Sequence, residues 1–237
     1  MRVRLVDATL VVDLGEERRV LSSAVLGGGL GSARAWLTAT VPGDYSRTDP
    51  AVDLAERAAQ LELPGPVVGM LTAADVGAYE RASSGAATVF ATVGLGHPLA
   101  ACGTRPRALP RAGTINLLVV VEEGLDDGAL VGAAQTAVEA KAQALAAGGV
   151  RAANARGPAT GTATDAVCIA ARCGGGVAFA GPATRVGADV ARAVFTAVHA
   201  GVLRDRTERA AGLPARPGKH PASPLPASRR TPWTQAG

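Results

Sequence analysis

Residues 158–165 hold the densest set of reactive side-chain types in this sequence, Pro-Ala-Thr-Gly-Thr-Ala-Thr-Asp. If the segment is extended, Thr160, Thr162 and Thr164 lie on one face, next to the carboxylate of Asp165. Hydroxyls and a carboxylate in this arrangement can hydrogen-bond an amide, an anion or a metal-bound water. Threonine also fits an ordinary strand because it is β-branched. The glycine inside the segment favours a ligand site, since glycine weakens a strand and often marks close ligand approach.

Lys141 is one of only two lysines in the chain, and the other, Lys219, belongs to the C-terminal tail. The remaining basic residues are arginines, which cannot give up a proton at neutral pH. Lys141 is therefore a candidate for an amine that takes part in a functional site. Lys141 and Glu139 are predicted at opposite edges of the apolar stripe of one helix. The stripe consists of Val131, Ala134, Val138 and Leu145. From its edge the amine either extends to solvent or joins a site.

Asn116 and a serine–glycine segment are two further candidates. Asn116 enters an apolar strand, where its amide must find partners, either in a structural turn or in a site. Ser22 and Ser23 stand shortly before three consecutive glycines, which are Gly27, Gly28 and Gly29. Backbone N–H groups in such a loop form a nest that can hold an anion or an oxyanion.

The motifs of several common enzyme classes are absent from the sequence. It has neither a Walker A motif nor the GxGxxG order of dinucleotide-binding loops, so a nucleotide cofactor has no support. No GxSxG elbow supports a serine hydrolase triad. The three histidines and three cysteines show no spacing typical of metal ligands. We therefore expect no cofactor and assign no metal ligands, and the sequence leaves the metal requirement open.

The composition predicts a globular domain without a nucleic-acid partner. Of the 237 residues, 48% are hydrophobic and 19% are charged, which suffices for an apolar core. Aromatic residues make up only 3%, too few for base-stacking platforms. The net charge is +4, but residues 209–237 contribute five basic and no acidic residues. The rest of the chain is thus close to neutral, which disfavours a phosphate-binding groove.

The N-terminal stretch and the hydropathy pattern favour a cytoplasmic protein without a membrane partner. Asp7 and Asp13 interrupt the apolar N-terminal segment, which argues against a signal peptide. No uncharged apolar run reaches the roughly 18 residues that a membrane span needs.

Apolar periodicity and turn residues predict a mixture of strands and helices. The predicted strands are 10–14, 18–23, 35–41, 67–71, 87–93, 114–121, 166–171 and 177–180, the first two joined by a hairpin turn at 15–17. The predicted helices are 50–63, 126–147 and 185–203. The first helix has its apolar stripe at Val52, Ala55, Ala59 and Leu63.

Strands and helices follow one another without a regular βαβ alternation. This order predicts a single layered α/β or α+β domain, with mixed β-sheet packed against helices, over residues 1–205. Residues 206–237 are rich in Pro, Ala and Arg, which predicts a disordered tail.

Seven short segments occur in one order along residues 20–205. They are VLSSA with GGGL, VGMLTAA, VGL, GTIN, EAK, TGTATD and AGPAT. Together they resemble the adenosylcobinamide amidohydrolase family, whose members hydrolyse the amide that joins aminopropanol to the corrin ring. The resemblance implies a role in corrinoid salvage, with adenosylcobyric acid and 1-amino-2-propanol as products. It makes the corrinoid a small-molecule substrate, and it leaves a homo-oligomer open.

The resemblance, together with the candidates above, implies a distribution of roles. Lys141 would deprotonate Thr162 or a water, with Asp165 or Glu139 orienting that base or activating water directly. Asn116 or the N–H groups of the glycine loop would hold the oxyanion. The residues expected to bind substrate are Ser22, Ser23, Gly27, Gly28, Gly29, Thr72, Thr160 and Thr164.

Two other functions fit the same residues. A non-catalytic corrinoid-binding protein would use the same hydroxyls and amides, and an amidase with another substrate would share the chemistry. Release of aminopropanol from adenosylcobinamide distinguishes the three.

Overall fold

Ten strands and three α-helices make up the described part of the chain, residues 1–42, 45–104 and 113–211 of a computed structural model. The strands are β1 (Arg2–Val6), β2 (Thr9–Ser22), β3 (Gly29–Thr40), β4 (Val67–Thr72), β5 (Glu80–Ser84), β6 (Ala87–Gly94), β7 (Pro98–Leu99), β8 (Thr114–Leu125), β9 (Gly161–Thr162) and β10 (Ala166–Val177). The helices are α1 (Pro50–Gln60), α2 (Asp127–Ala147) and α3 (Arg185–Ala210).

A mixed sheet of eight strands forms the centre of the fold, in the order β4-β3-β2-β10-β8-β6-β5, with β1 paired to β2. Its two parallel pairs are β3–β4 and β8–β10, and the other pairs are antiparallel. Each parallel pair is connected through a helix, α1 or α2, as a parallel connection requires. Strands β7 and β9 form a separate two-stranded sheet. The predicted mixed-sheet architecture packed against helices is confirmed.

One face of the large sheet is folded onto itself. Buried side chains of β2, β3 and β4 contact those of β6, β8 and β10 in a single inner core, which includes Trp36, Phe90 and Leu118. On the outer face, α2 and α3 cover β6, β8 and β10, while α1 covers β3 and β4. Because both faces of these strands are buried, successive residues along them are apolar, and the sequence shows continuous apolar runs.

The predicted hairpin at residues 15–17 is wrong, because β2 continues through it as one strand. Its register against β3 shifts between Asp13 and Arg18, so the intervening residues form a bulge instead of a reversal. Gly15 takes φ +78° there, a conformation that favours glycine. Beyond the bulge, β2 also pairs with β10.

Two further boundaries differ from the prediction. The strand predicted at 166–171 is longer, because β10 continues through three glycines with positive φ and ends at Val177. The separate strand predicted at 177–180 is wrong, since residues 178–180 are not in a strand. Helix α3 runs to Ala210, past the predicted domain limit at 205. The predicted tail lies outside the described residues from position 212 onwards.

The predicted apolar stripe of α1 is also wrong, and that of α2 is wrong at two of its four positions. Helix α1 buries Asp53, Leu54 and Ala58, whereas Val52 of the predicted stripe is 49% exposed. Helix α2 buries mainly alanines, while Val131 and Val138 are 47% and 44% exposed. Small side chains let α2 approach α3 and the sheet closely, so its packing face is marked by alanine and not by the larger residues.

Helix α3 is long and apolar enough to cross a membrane by length and composition alone. More than half of its most apolar stretch is buried inside the protein, against β5, β6 and α2. This burial is typical of a core helix.

Asp189 of α3 holds the β5–β6 turn. Its carboxylate accepts hydrogen bonds from the Ala86 N–H (3.1 Å) and from the Ser84 hydroxyl, and it pairs with Arg192. The Ala86 hydrogen bond is the main cause that lowers the pKa of Asp189, and Arg192 lowers it further. Because the folded-state pKa lies below the unfolded one, this contribution is present above the ordinary aspartate pKa and is lost as pH falls.

We predict that Asp189→Asn lowers the melting temperature at neutral pH and that its difference from the wild type shrinks below about pH 4. Thermal melts across pH measure this difference. The control is Glu62→Gln, whose exposed side chain has no hydrogen bond or ion pair to other described residues. A difference for Asp189→Asn that stayed constant down to about pH 2 would contradict the prediction.

Candidate active site

The Asp165 carboxylate, directly before β10, collects hydrogen-bond donors from three parts of the chain. One oxygen accepts from the Ile115 N–H of β8 at 3.0 Å and lies 2.5 Å from the Thr162 hydroxyl. The other accepts from the Thr162 N–H at 3.1 Å and from the ammonium of Lys141. With a side chain only 10% exposed, this carboxylate has its buried charge fully compensated.

Lys141 lies on the buried face of α2 and not at the edge of an apolar stripe. Its side chain is 7% exposed and its Nζ forms an ion pair with Asp165 instead of reaching water. The alternative that the Lys141 amine extends to solvent is therefore wrong. An ammonium has three N–H donors, and Asp165 is the one hydrogen-bond acceptor of Lys141 among the described residues.

Contrary to the prediction, the three threonines do not share one face of a strand. Only Gly161–Thr162 is extended, as β9, and a turn follows at 163–164. The Thr162 and Thr164 hydroxyls both approach the Gly113 carbonyl, at 2.7 and 3.1 Å. Thr160 turns elsewhere and accepts a hydrogen bond from the Ala101 N–H at 2.9 Å.

A cleft of about 670 Å³ opens beside the Lys141–Asp165 pair. Lys141 and Gly161 are the buried residues of its lining, and the side chain of Asp165 beside them is 10% exposed. Its walls are one face of α2 and the residues around β7 and β9. A volume of this size is typical of small-molecule sites. Among the described residues, no three His, Cys, Asp or Glu side chains are grouped closely enough to hold a metal ion.

Glu139 lines the same cleft from α2. Its side chain is exposed and has no hydrogen bond or ion pair to other residues in the described part of the chain. The cleft therefore contains one carboxylate saturated by donors, Asp165, and one open to a ligand or water. Two carboxylates in such different environments can take different chemical roles.

Asn116 is not among the residues that line the cleft. It is fully buried on the inner face of the sheet, and its Nδ2 donates to the Leu71 carbonyl (2.9 Å) and to the Thr38 hydroxyl (3.0 Å). These partners belong to β4 and β3, which are not neighbours of β8 in the sheet. The geometry gives Asn116 a role in closing the sheet, and its oxyanion role stays a prediction.

The serine, glycine and Thr72 candidates also lie outside the cleft lining. Ser22 donates to the Val167 carbonyl and Ser23 accepts from the Val167 N–H, so both tie the end of β2 to β10. Thr72 is buried and accepts from the Ala74 N–H at 3.0 Å. The glycines at 27–29 are exposed and lead into β3, two of them with positive φ. Their part in substrate binding stays a prediction.

Asn154, which the sequence reasoning did not single out, lines the cleft. It connects the two segments that form the wall opposite α2, residues 98–104 and 153–162, which we call the strap. Its rarity was the available signal, because the chain contains only one other asparagine, Asn116.

Comparison with known proteins decides the family. The model of the adenosylcobinamide amidohydrolase family matches residues 1–210, which is the whole described domain apart from its last residue. The chain belongs to this family. Membership in an amidohydrolase family identifies the chain as a hydrolase of an amide bond and confirms the resemblance seen in the seven sequence segments.

Two relatives of this amidohydrolase carry the family name. The adenosylcobinamide amidohydrolase of Methanosarcina mazei is 28% identical over 212 residues, covering 85% of this chain and 98% of the relative. The adenosylcobinamide amidohydrolase of Halobacterium salinarum is 41% identical over 128 residues, covering 50% of this chain and 51% of the relative. The first alignment spans nearly the entire relative, so the similarity extends over the whole domain.

We predict that Gly161→Ala lowers the rate of amide hydrolysis by about 10- to 100-fold while the protein stays folded. A Cβ at this position would lie 2.9 Å from Lys141 Nζ and closer still to the Asp165 carboxylate, so the ion pair must shift. Turnover and thermal melting measure the two effects. The matched control is Gly128→Ala on α2, where an added Cβ meets nothing within 4 Å. Equal turnover of the two variants would show that the pair does not serve the reaction.

Proposed function

We propose that this amidohydrolase cleaves the amide that joins aminopropanol to the corrin ring of adenosylcobinamide. The products are adenosylcobyric acid and 1-amino-2-propanol, and the role is corrinoid salvage. We further propose that the enzyme works in the cytoplasm, without a cofactor, a nucleic-acid partner or a membrane partner. The family, and the names of two relatives that align with this chain, support the substrate.

The observation that carries the proposal is the ion pair of Lys141 with Asp165 in the most buried part of the cleft. Asp165 accepts from the N–H groups of Ile115 and Thr162 and from Lys141, so it serves to hold the Lys141 ammonium in place. The ammonium keeps donors for a ligand and faces the cleft. A fixed positive charge there stabilises the oxyanion that forms when an amide carbonyl is attacked. Lys141 is therefore proposed as the oxyanion donor, in place of the base role expected from sequence.

Glu139 is proposed as the general base. It takes a proton from a water molecule while the water oxygen attacks the amide carbon, and the carbonyl oxygen becomes an oxyanion beside Lys141. The C–N bond then breaks, and the proton on Glu139 passes to the departing amine nitrogen. The result is a carboxylic acid on the corrin side arm and free aminopropanol, so atoms and charges balance.

Thr162 is proposed to hold the Asp165 carboxylate in position. Its hydroxyl lies 2.5 Å from Asp165 and 2.7 Å from the Gly113 carbonyl, and it can donate to only one of them at a time. The alternative is direct attack by Thr162, with the proton of its hydroxyl accepted by Asp165. That route passes through an acyl-enzyme, which the water route lacks.

The size of the substrate fits the position of the reacting groups. A corrin ring with its adenosyl ligand is larger than the cleft, so the side arm enters and the ring lies across the opening. The cleft offers hydroxyl and backbone groups to the many carboxamides of a corrinoid. A non-catalytic corrinoid-binding protein would share these contacts, but it would not release aminopropanol.

We predict that the purified protein releases 1-amino-2-propanol from adenosylcobinamide and that Lys141→Met lowers this rate by about 100- to 1,000-fold. Mass spectrometry of both products measures the reaction. Methionine leaves Asp165 without its counterion, which destabilises the fold by about 3–5 kcal/mol, so melting is recorded in parallel. Lys141→Arg retains the charge beside Asp165 and separates lost folding from lost chemistry. Arg156→Met, at an exposed position in the strap, is the control for removing a cation.

Near-normal turnover of Lys141→Met would remove this residue from the mechanism. Hydrolysis of simple amides with no action on adenosylcobinamide would instead favour an amidase with another substrate. Tight corrinoid binding without product would favour the binding protein.

We predict that Glu139→Gln lowers kcat by about 100-fold or more without loss of stability, because its side chain is exposed and its proton transfer is lost. Gln135→Ala, exposed on the same helix but outside the cleft lining, is the matched control. Quenched reactions are examined by intact mass. A covalent acyl group on the wild type that Thr162→Ala abolishes would replace the water route with attack by threonine.

A further inference from the structure

Asn154 holds the two segments of the strap together through both its side chain and its backbone. Its Oδ1 accepts from the Ala100 N–H at 2.8 Å, and its Nδ2 donates to the carbonyls of Ala100 (3.1 Å) and Thr104 (3.2 Å). Its own carbonyl accepts from the Thr104 N–H and hydroxyl, both at 3.0 Å. All of the donor and acceptor groups of this amide side chain face residues 98–104.

The strap has few other supports. Strands β7 and β9 are only two residues long each, and they pair with one another instead of joining the large sheet. The remaining ties between its segments include the Ala153 N–H to the Pro98 carbonyl and the Thr160 N–H to the Leu99 carbonyl. A wall held by surface hydrogen bonds, without an apolar core of its own, depends strongly on a residue that makes several of them.

Gly103 shows how closely the strap is fitted to Asn154. A Cβ at Gly103 would lie 2.8 Å from Asn154 Oδ1 and closer to its Nδ2 and Cγ. The glycine is therefore in direct contact with the amide plane. A substitution at Gly103 disturbs the same contact from the opposite side.

The strap faces α2 across the cleft. Leu99, Ala100 and Ala101 line one side, and Val138 and Ala142 of α2 line the other, with the reacting groups between them. These apolar surfaces suit the methyl and methylene groups at the rim of a large ring. Neither Asn154 nor residues 98–104 supply a hydrogen bond to Lys141 or Asp165 in the described structure.

We propose that Asn154 is a positioning residue for substrate affinity: it orders the strap into the wall that the corrin ring contacts, and it takes no part in breaking the amide. The inference rests on the proposed function for the identity of the ligand. If only a fraction of the molecules has residues 98–104 of the strap in order, the apparent affinity falls by that fraction. Bound substrate still meets an intact Lys141–Asp165 pair, because those residues supply it with no hydrogen bond. Loss of Asn154 therefore raises KM and leaves kcat nearly unchanged.

The test combines kinetics with hydrogen exchange. In Asn154→Ala, KM for adenosylcobinamide rises by about tenfold or more, kcat stays within about threefold, and the amides of residues 98–104 exchange faster. Gly103→Ala shows the same pattern. Arg156→Ala, exposed in the same segment and without a hydrogen bond to other described residues, changes none of the three quantities.

Several results would overturn the inference. A fall in kcat at unchanged KM would place Asn154 in the chemistry, and unchanged exchange at residues 98–104 would show that it does not order the strap. If the Asn154→Ala protein does not fold, the same measurements are made on Gly103→Ala. If the wild type fails to hydrolyse adenosylcobinamide, the proposed function fails. The affinity inference is then decided by titration of the corrinoid followed by its visible absorbance, where equal dissociation constants for wild type and Asn154→Ala reject it.

Discussion

The buried carboxylate of Asp165 is the constraint on which the site depends. An ionised group in a largely dry environment is stable only when donors surround it, and here the donors come from β8, from the segment of β9 and from α2. Each donor is a connection between elements that are far apart in the sequence. The same contacts that stabilise the charge therefore place Lys141 and Thr162 beside each other.

The sheet topology explains why these groups meet. Strands β8 and β10 are parallel neighbours, with Ala166 opposite Asn116, so the residues before β10 and at the start of β8 share one edge of the sheet. Helix α2 leaves the far end of β8 and returns along the outer face. At about 1.5 Å per residue, its last third arrives back at the edge where β8 began. Lys141 is in that part of the helix, which places its amine over Asp165.

Much of the fold and the centre of the site were predictable from the sequence, for identifiable reasons. The rarity of lysine and the Thr-Gly-Thr-x-Thr-Asp run indicated Lys141 and Asp165, which the structure brings into contact. Apolar runs and turn residues predicted the central strands and helices α1 and α2 correctly. The positions of the large apolar residues did not predict which face of each helix packs against the core, because α2 packs mainly through alanines. The continuous β2 was missed because a bulge and a hairpin turn use the same residue types. Asn154 was missed because its partners are about 50 positions away in the chain.

The strap and the sheet differ in how they resist opening. Amides in β8 and β10 are protected by neighbours on both sides and by the core, so exposing them requires a large fraction of the global unfolding free energy. Residues 98–104 of the strap are held by the short β7–β9 pairing and by surface hydrogen bonds, so they can separate locally at much lower cost. A bulky ring can therefore enter and leave while the charged pair beneath it stays intact. Under the proposed function, the same division permits residues 98–104 to vary with the side groups of the substrate, without disturbing the residues proposed to break the amide bond.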